Sequence, residues 1–123
     1  FDTNIIIGFL KNERAIVEKI INEEVINVPV ITVGEMLFGA NKSDNSDKNL
    51  SLYKDFFKCC EIFEITERTS EYYADIKYFL KKSGKPIPEN DLWIAAIAKE
   101  HDFTLITRDK HFKNIDLIKS EEW

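Results

Sequence analysis

The segment that most limits the fold is 92–107. Leu92 to Ala98 is an unbroken apolar helix pattern carrying three alanines, and Phe103 to Thr107 is a short strand pattern directly after it. A helix so rich in small apolar residues packs closely on a sheet. A strand reached at once from such a helix fits a parallel αβ unit.

The rest of the chain repeats the alternation. Phe1 and Asp2 read as the end of a buried strand that turns into a helix, with Leu10 to Ile21 apolar at near-helical period. Val28 to Ile31 is a β-branched run and predicts a second strand. Thr32 predicts a cap for the next helix, with Glu35 at capping-box spacing and Met36, Leu37 and Phe38 on its apolar side. The polar run 41–49 predicts a loop or fraying helix end. A helix resumes near Leu50 with Leu52, Tyr53, Phe56, Phe57 and Cys60 inward. Ile62 to Ile65 predicts a third strand. Residues 68–82 form an amphipathic helix on Tyr72, Tyr73, Ile76, Phe79 and Leu80, closed by Ser83 and Gly84. Asp116 to Ile118 predicts a last strand. The economical architecture is a single α/β domain over 1–123, a three-layer α/β/α sandwich with a mostly parallel central sheet.

With 123 residues, 44% of them hydrophobic, the chain can bury a core. No apolar run approaches the roughly 18–20 residues of a membrane span, and no signal-peptide pattern is present, so a cytoplasmic protein is expected. The chain opens at Phe1 without an initiator methionine, so most of the first strand is expected to precede it. Adjacent Cys59 and Cys60 read as reduced, buried thiols on a helix. The formal net charge of −5 argues against a general electrostatic grip on nucleic acid. It leaves room for a nuclease whose clustered carboxylates hold divalent cations.

Function in parallel sheets collects at the carboxyl ends of the strands. Asp2 follows the first strand, Asp109 lies two residues past Thr107, Asp91 opens the apolar helix, and Glu35 sits early in the helix after the second strand. All four acids can therefore reach one edge of the sheet. Grouped oxygen donors suit a hard cation such as magnesium or manganese, which supports phosphodiester hydrolysis. Each acid also has a plainer explanation: Asp91 as a helix N-terminal acid, Glu35 as a capping-box glutamate, Asp109 as a turn residue.

These acids sit in recognisable surroundings. Phe-Asp-Thr-Asn-Ile-Ile-Ile at 1–7, Val-Gly-Glu-Met-Leu-Phe-Gly-Ala at 33–40, Asn-Asp-Leu-Trp-Ile-Ala-Ala-Ile-Ala at 90–98 and Thr-Leu-Ile-Thr-Arg-Asp-Lys-His-Phe at 104–112 resemble PIN domains, specifically the VapC-type toxins of toxin–antitoxin modules. The resemblance extends over nearly the whole chain, to the terminal Trp123. It implies a Mg2+- or Mn2+-dependent endoribonuclease in which water attacks an RNA phosphodiester. It implies Asp2 and Asp91 as principal metal ligands, Glu35 as completing the first site, and Asp109 as serving a second metal or the outer shell. Thr3, Asn4 and Thr107 become supporting groups. Its implied partners are RNA, with tRNA one possibility, a cognate antitoxin, and a second copy of the chain. Where many members have glycine before the Asn-Asp pair, this chain has Glu89, an extra acid that either repels RNA or points to solvent.

Other residues carry weaker signals. Arg108, Lys110 and His111 flank Asp109 and either touch phosphate or form an exposed polar turn; His111 is not expected to be a ligand. Lys11 and Arg14 either line a groove or face solvent. His101 reads as a helix C-terminal dipole partner, and Trp93 as facing away from the acids. Tyr72, Tyr73, Phe79 and Phe56 read as packing residues. Three other roles remain open: an RNA-processing nuclease without an antitoxin, a PIN-like binding module with a decayed centre, and a phosphatase using Asp2 as nucleophile. The last is disfavoured by Asn4, where such enzymes carry an acid.

Overall fold

A computed structural model describes residues 1–123. Two parallel two-stranded ribbons form its centre. In one, β1 (Asn27–Pro29) pairs with β2 (Glu61–Phe63), Val28 opposite Ile62. In the other, β3 (Thr104–Thr107) pairs with β4 (Lys119–Glu122), Leu105 opposite Ser120. Phe1 and Asp2 lie between them. The Phe1 backbone nitrogen donates to the Asn27 carbonyl at 2.7 Å, and the Asp2 amide donates to the Ile106 carbonyl at 3.0 Å. Phe1 and Asp2 thereby bridge the two ribbons.

The helices cover both faces. β3 shows this through strand alternation. Leu105 packs into the cluster built on α5 (Glu67–Lys82) and α6 (Glu89–Glu100), through Ile76, Leu80, Leu92 and Ala95. Its neighbour Ile106 packs with Ile5, Ile16 and Ile20 of α1 (Thr3–Leu10) and α2 (Arg14–Ile20). A third cluster places Ile6 and Val28 against Met36 of α3 (Val30–Asn41), with Tyr53, Phe56 and Phe57 of α4 (Ser46–Phe57) at its edge. The parallel α/β layering expected from the sequence is observed. In α6 every residue from Leu92 to Ala98 except Trp93 is buried, which is what its small side chains permit.

Several boundaries differ from expectation. The 10–21 pattern is not one helix. α1 ends at Leu10, and Asn12 turns the chain with φ 60 before α2 starts. α3 begins two residues before Thr32, because Pro29 at φ −64 and ψ 141 already sets the helix entry. Thr32 is therefore a buried interior residue and no cap. The polar run 41–49 is mostly helical, with α3 reaching Asn41 and α4 starting at Ser46. Leu52, expected inside, is 45% exposed, since α4 buries no residue fully and packs only an edge. The last strand lies at 119–122 and not at 116–118; the latter residues turn the chain after a 3₁₀ segment, Lys110–Asn114, anchored by buried Phe112. Cys59 and Cys60 lie just past α4 as free thiols, Cys59 exposed. No helix is long and apolar enough to cross a membrane.

Candidate metal centre

Asp2 lies at the joint between the bridge and α1. It is 5% exposed, and each of its carboxylate oxygens is held. Oδ1 accepts from the Thr3 amide at 2.7 Å, capping α1. Oδ2 accepts from the Thr107 hydroxyl at 2.5 Å and from the Asn4 side-chain amide at 3.1 Å. Asn4 in turn accepts from the Arg108 amide at 3.1 Å, so the start of α1 is pinned to the end of β3. Burial pushes the Asp2 carboxyl above its ordinary value. Thr107 and the Thr3 amide pull it back, and the nearby charges of Glu35 and Asp109 push it up again.

Thr107 serves two acids. Besides donating to Asp2, its hydroxyl accepts from the Asp109 amide at 2.9 Å. Asp109 caps the 3₁₀ segment by accepting from the His111 amide at 2.9 Å. The His111 ring then folds back, with Nδ1 3.0 Å from Asp91 Oδ2 and 3.1 Å from Asp109 Oδ1. Asp91 stands in the first turn of α6, its side chain 13% exposed. Its carboxyl is also raised, first by burial and then by the charges of Asp109 and Asp2, against a lowering hydrogen bond from His111. Ligand atoms of Asp91, Asp109 and His111 lie within 4.8 Å of one another.

Glu35 reaches the cluster from the side. Because α3 starts early, Glu35 is in its second turn and does no capping. It accepts instead from the Thr3 hydroxyl and, at 3.0 Å, from the Asn90 amide. The capping-box explanation thus gives way to a tertiary one. A continuous run of hydrogen bonds links all four acids: Glu35 to Thr3, Thr3 to Asp2, Asp2 to Thr107, Thr107 to Asp109, and Asp109 through His111 to Asp91. His111 within this run, and Asn90 donating to Glu35 beside it, were not expected in such roles. Asn90 is separated from Glu35 by 55 positions and His111 from Asp91 by 20. Only the Asp-x-His spacing after β3 offered a local signal, since an aspartate two residues ahead can cap a turn.

The flanking residues sort simply. Arg108 is paired with Glu13 at 2.7 Å and donates to the Trp123 carbonyl at 3.0 Å on the surface. Lys110 is exposed, as is Lys11, and Arg14 pairs with Glu18 on the surface. Glu89 turns away from the acids, accepting from Tyr73 at 2.5 Å and Lys77 at 2.7 Å. Trp93 stacks on Tyr73 at 4.0 Å, away from Asp91. Tyr72 and Phe79 pack against the α5–α6 core. His101 ends α6, with its ring against Phe63 and Phe103.

The donor set fits a divalent cation. Burial raises the Asp2 and Asp91 carboxyls, Asp91 and Asp109 stand close together, and a positive ion stabilises such carboxylates; hard oxygen donors suit Mg2+ or Mn2+. A parallel α/β fold with acids gathered at strand ends and helix starts defines a nuclease-like class. The chain belongs to the PIN domain family, whose profile matches residues 1–118. It is 30% identical over 125 residues to Ribonuclease VapC2 of Haemophilus influenzae, covering 99% of this chain and 95% of that protein. It is 25% identical over 125 residues to the tRNA(fMet)-specific endonuclease VapC of Shigella flexneri, with the same coverage. Among solved structures, VapBC2 of Rickettsia felis bound to a DNA fragment from its promoter superposes with a TM-score of 0.90 at 27% identity, over 99% of this chain and 96% of that one.

Proposed function

We propose that this protein is a divalent-metal-dependent endoribonuclease, the toxin of a toxin–antitoxin pair, with Asp2, Glu35, Asp91 and Asp109 as its acidic set. The observation that carries the reading is the hydrogen-bonded run that joins these four acids across 107 positions of sequence. Mg2+ or Mn2+, when bound, supplies an activated water and neutralises charge on the phosphate. The protein's own groups do the positioning. Thr107 and Asn4 fix the Asp2 carboxylate, and Thr3 and Asn90 aim Glu35. Asp91 and Asp109 offer oxygens on the more open side. Water attacks the phosphodiester in line and leaves a 5′-phosphate and a 3′-hydroxyl. Structured RNA of the tRNA type is the favoured substrate class, in keeping with the name of the Shigella relative. An antitoxin holds the activity in check, as the VapBC assembly of Rickettsia felis suggests. A cleft beside Glu35, lined by Ile31, Gly34, Asn90 and the 63%-exposed Phe38, suits an apolar antitoxin segment.

The test is RNA cleavage by wild type and Asp91→Asn, each with Mg2+ and with chelator. Wild type cleaves only with metal, and Asp91→Asn loses about a thousandfold or more, the scale on which a catalytic metal acts. A variant that cleaves like wild type overturns the assignment. Toxicity relieved by a small adjacent gene product separates the toxin from a nuclease that works alone.

A further inference from the structure

We propose that His111 is a metal ligand of this centre, so that the site is a mixed nitrogen–oxygen site preferring Mn2+ to Mg2+. The inference rests on the metal-dependent reading above and adds a ligand to it. Three observations carry it. First, Nδ1 stands 3.0 Å from Asp91 Oδ2 and 3.1 Å from Asp109 Oδ1. Adjacent ligands held at about 2.1 Å by an octahedral ion stand about 3 Å apart, so the ring nitrogen already lies one octahedral edge from each oxygen. Second, its position is built in. The His111 amide is fixed on Asp109, and the next residue, Phe112, is 1% exposed and locks the segment into the core. Third, the imidazole is half exposed, and its hydrogen-bonding side-chain contacts are to these two acids alone.

Bound metal takes the place of the hydrogen-bonded proton between ring and carboxylates, with neutral imidazole as donor. Nitrogen ligation favours first-row transition ions, whereas Mg2+ is held by oxygen. His111 thus selects the metal, while the acids suffice to hold one.

The experiment uses Mn2+ itself as probe. Pulsed electron spin resonance of the Mn2+-loaded protein reads modulation from a directly bound imidazole nitrogen, and calorimetry reads Mn2+ and Mg2+ affinities. The chain has two histidines, so His101→Gln is the control and His111→Gln the test. Wild type and His101→Gln should show the nitrogen modulation, and His111→Gln should lack it. In His111→Gln the Mn2+ Kd should rise about tenfold while the Mg2+ Kd moves by less than about twofold. Mn2+ binding without nitrogen modulation in wild type overturns the histidine ligand and leaves the acidic centre standing. Absence of Mn2+ binding in wild type overturns both. Circular dichroism of His111→Gln confirms that the exposed substitution leaves the fold intact.

Discussion

The two sides of the acidic centre are built differently. On the Asp2 side the carboxylate is buried and saturated: three protein donors hold its two oxygens, and they come from both ends of the chain. On the Asp91–Asp109 side the carboxylates are partly open and bridged by one half-exposed imidazole. The contrast separates framework from exchange. A group held by three donors cannot shift when a cation or substrate enters, whereas a side bridged by one ring can rearrange. Buried polar networks are worth most when fully satisfied, and the Asp2 side meets that condition.

The contrast breaks most severely at Thr107. Thr107→Val keeps the volume and removes the hydroxyl that serves Asp2 and Asp109. It should lower unfolding free energy by about 1–3 kcal/mol and cleavage by about 10- to 100-fold, as loss of a ligand's support does. Urea denaturation and RNA cleavage measure the two; an unchanged denaturation midpoint would mean that the Asp2 side is not a framework. On the open side, Asp109→Asn retains a turn cap and removes one charge. Cleavage should fall about tenfold with no loss of thermal stability, so a lowered Tm would erase the distinction.

Acidity sharpens the comparison further. Asp2 and Asp91 both have raised carboxyls, chiefly through burial. At these positions the metal-free folded protein binds protons more tightly than the unfolded chain. Their stabilising effect is complete below the ordinary aspartate value of 3.8 and is lost as pH rises through the folded values. Between about pH 4 and pH 7 the denaturation midpoint should therefore fall more for wild type than for Asp2→Asn; parallel profiles would remove Asp2 from this account. The smallest effect belongs to Glu89→Gln. Its charge is engaged by Lys77 and Tyr73 on the rim, and exposed pairs contribute little. Cleavage should stay within about twofold, and a large gain would restore the view of Glu89 as repelling RNA.

Much of this arrangement is readable in the sequence, for physical reasons that differ by element. α5 follows from periodicity because it buries one stripe, and α6 from an unbroken apolar run that is buried nearly all round. The gathering of the four acids follows from strand ends for Asp2 and Asp109 and from the early turns of α6 and α3 for Asp91 and Glu35. The capping-box alternative for Glu35 falls because Pro29, and not Thr32, sets the start of α3. The break at Asn12 was invisible because apolar spacing continues across it, while the turn depends on a single positive φ. The contacts of His111 and Asn90 to the acids are not legible because they are tertiary, made to residues 20 and 55 positions away. A one-dimensional pattern does not encode them.

The bridge formed by Phe1 and Asp2 has a consequence for biosynthesis. Asp2 reaches its place only by donating to Ile106 and accepting from Thr107, residues made more than a hundred positions later. A ribosome-bound chain therefore carries the first acid from the outset but has nowhere to seat it until β3 has emerged. Folding that depends on such distant partners finishes late. The Asp2 side of the centre is therefore completed only when both ends of the polypeptide are present.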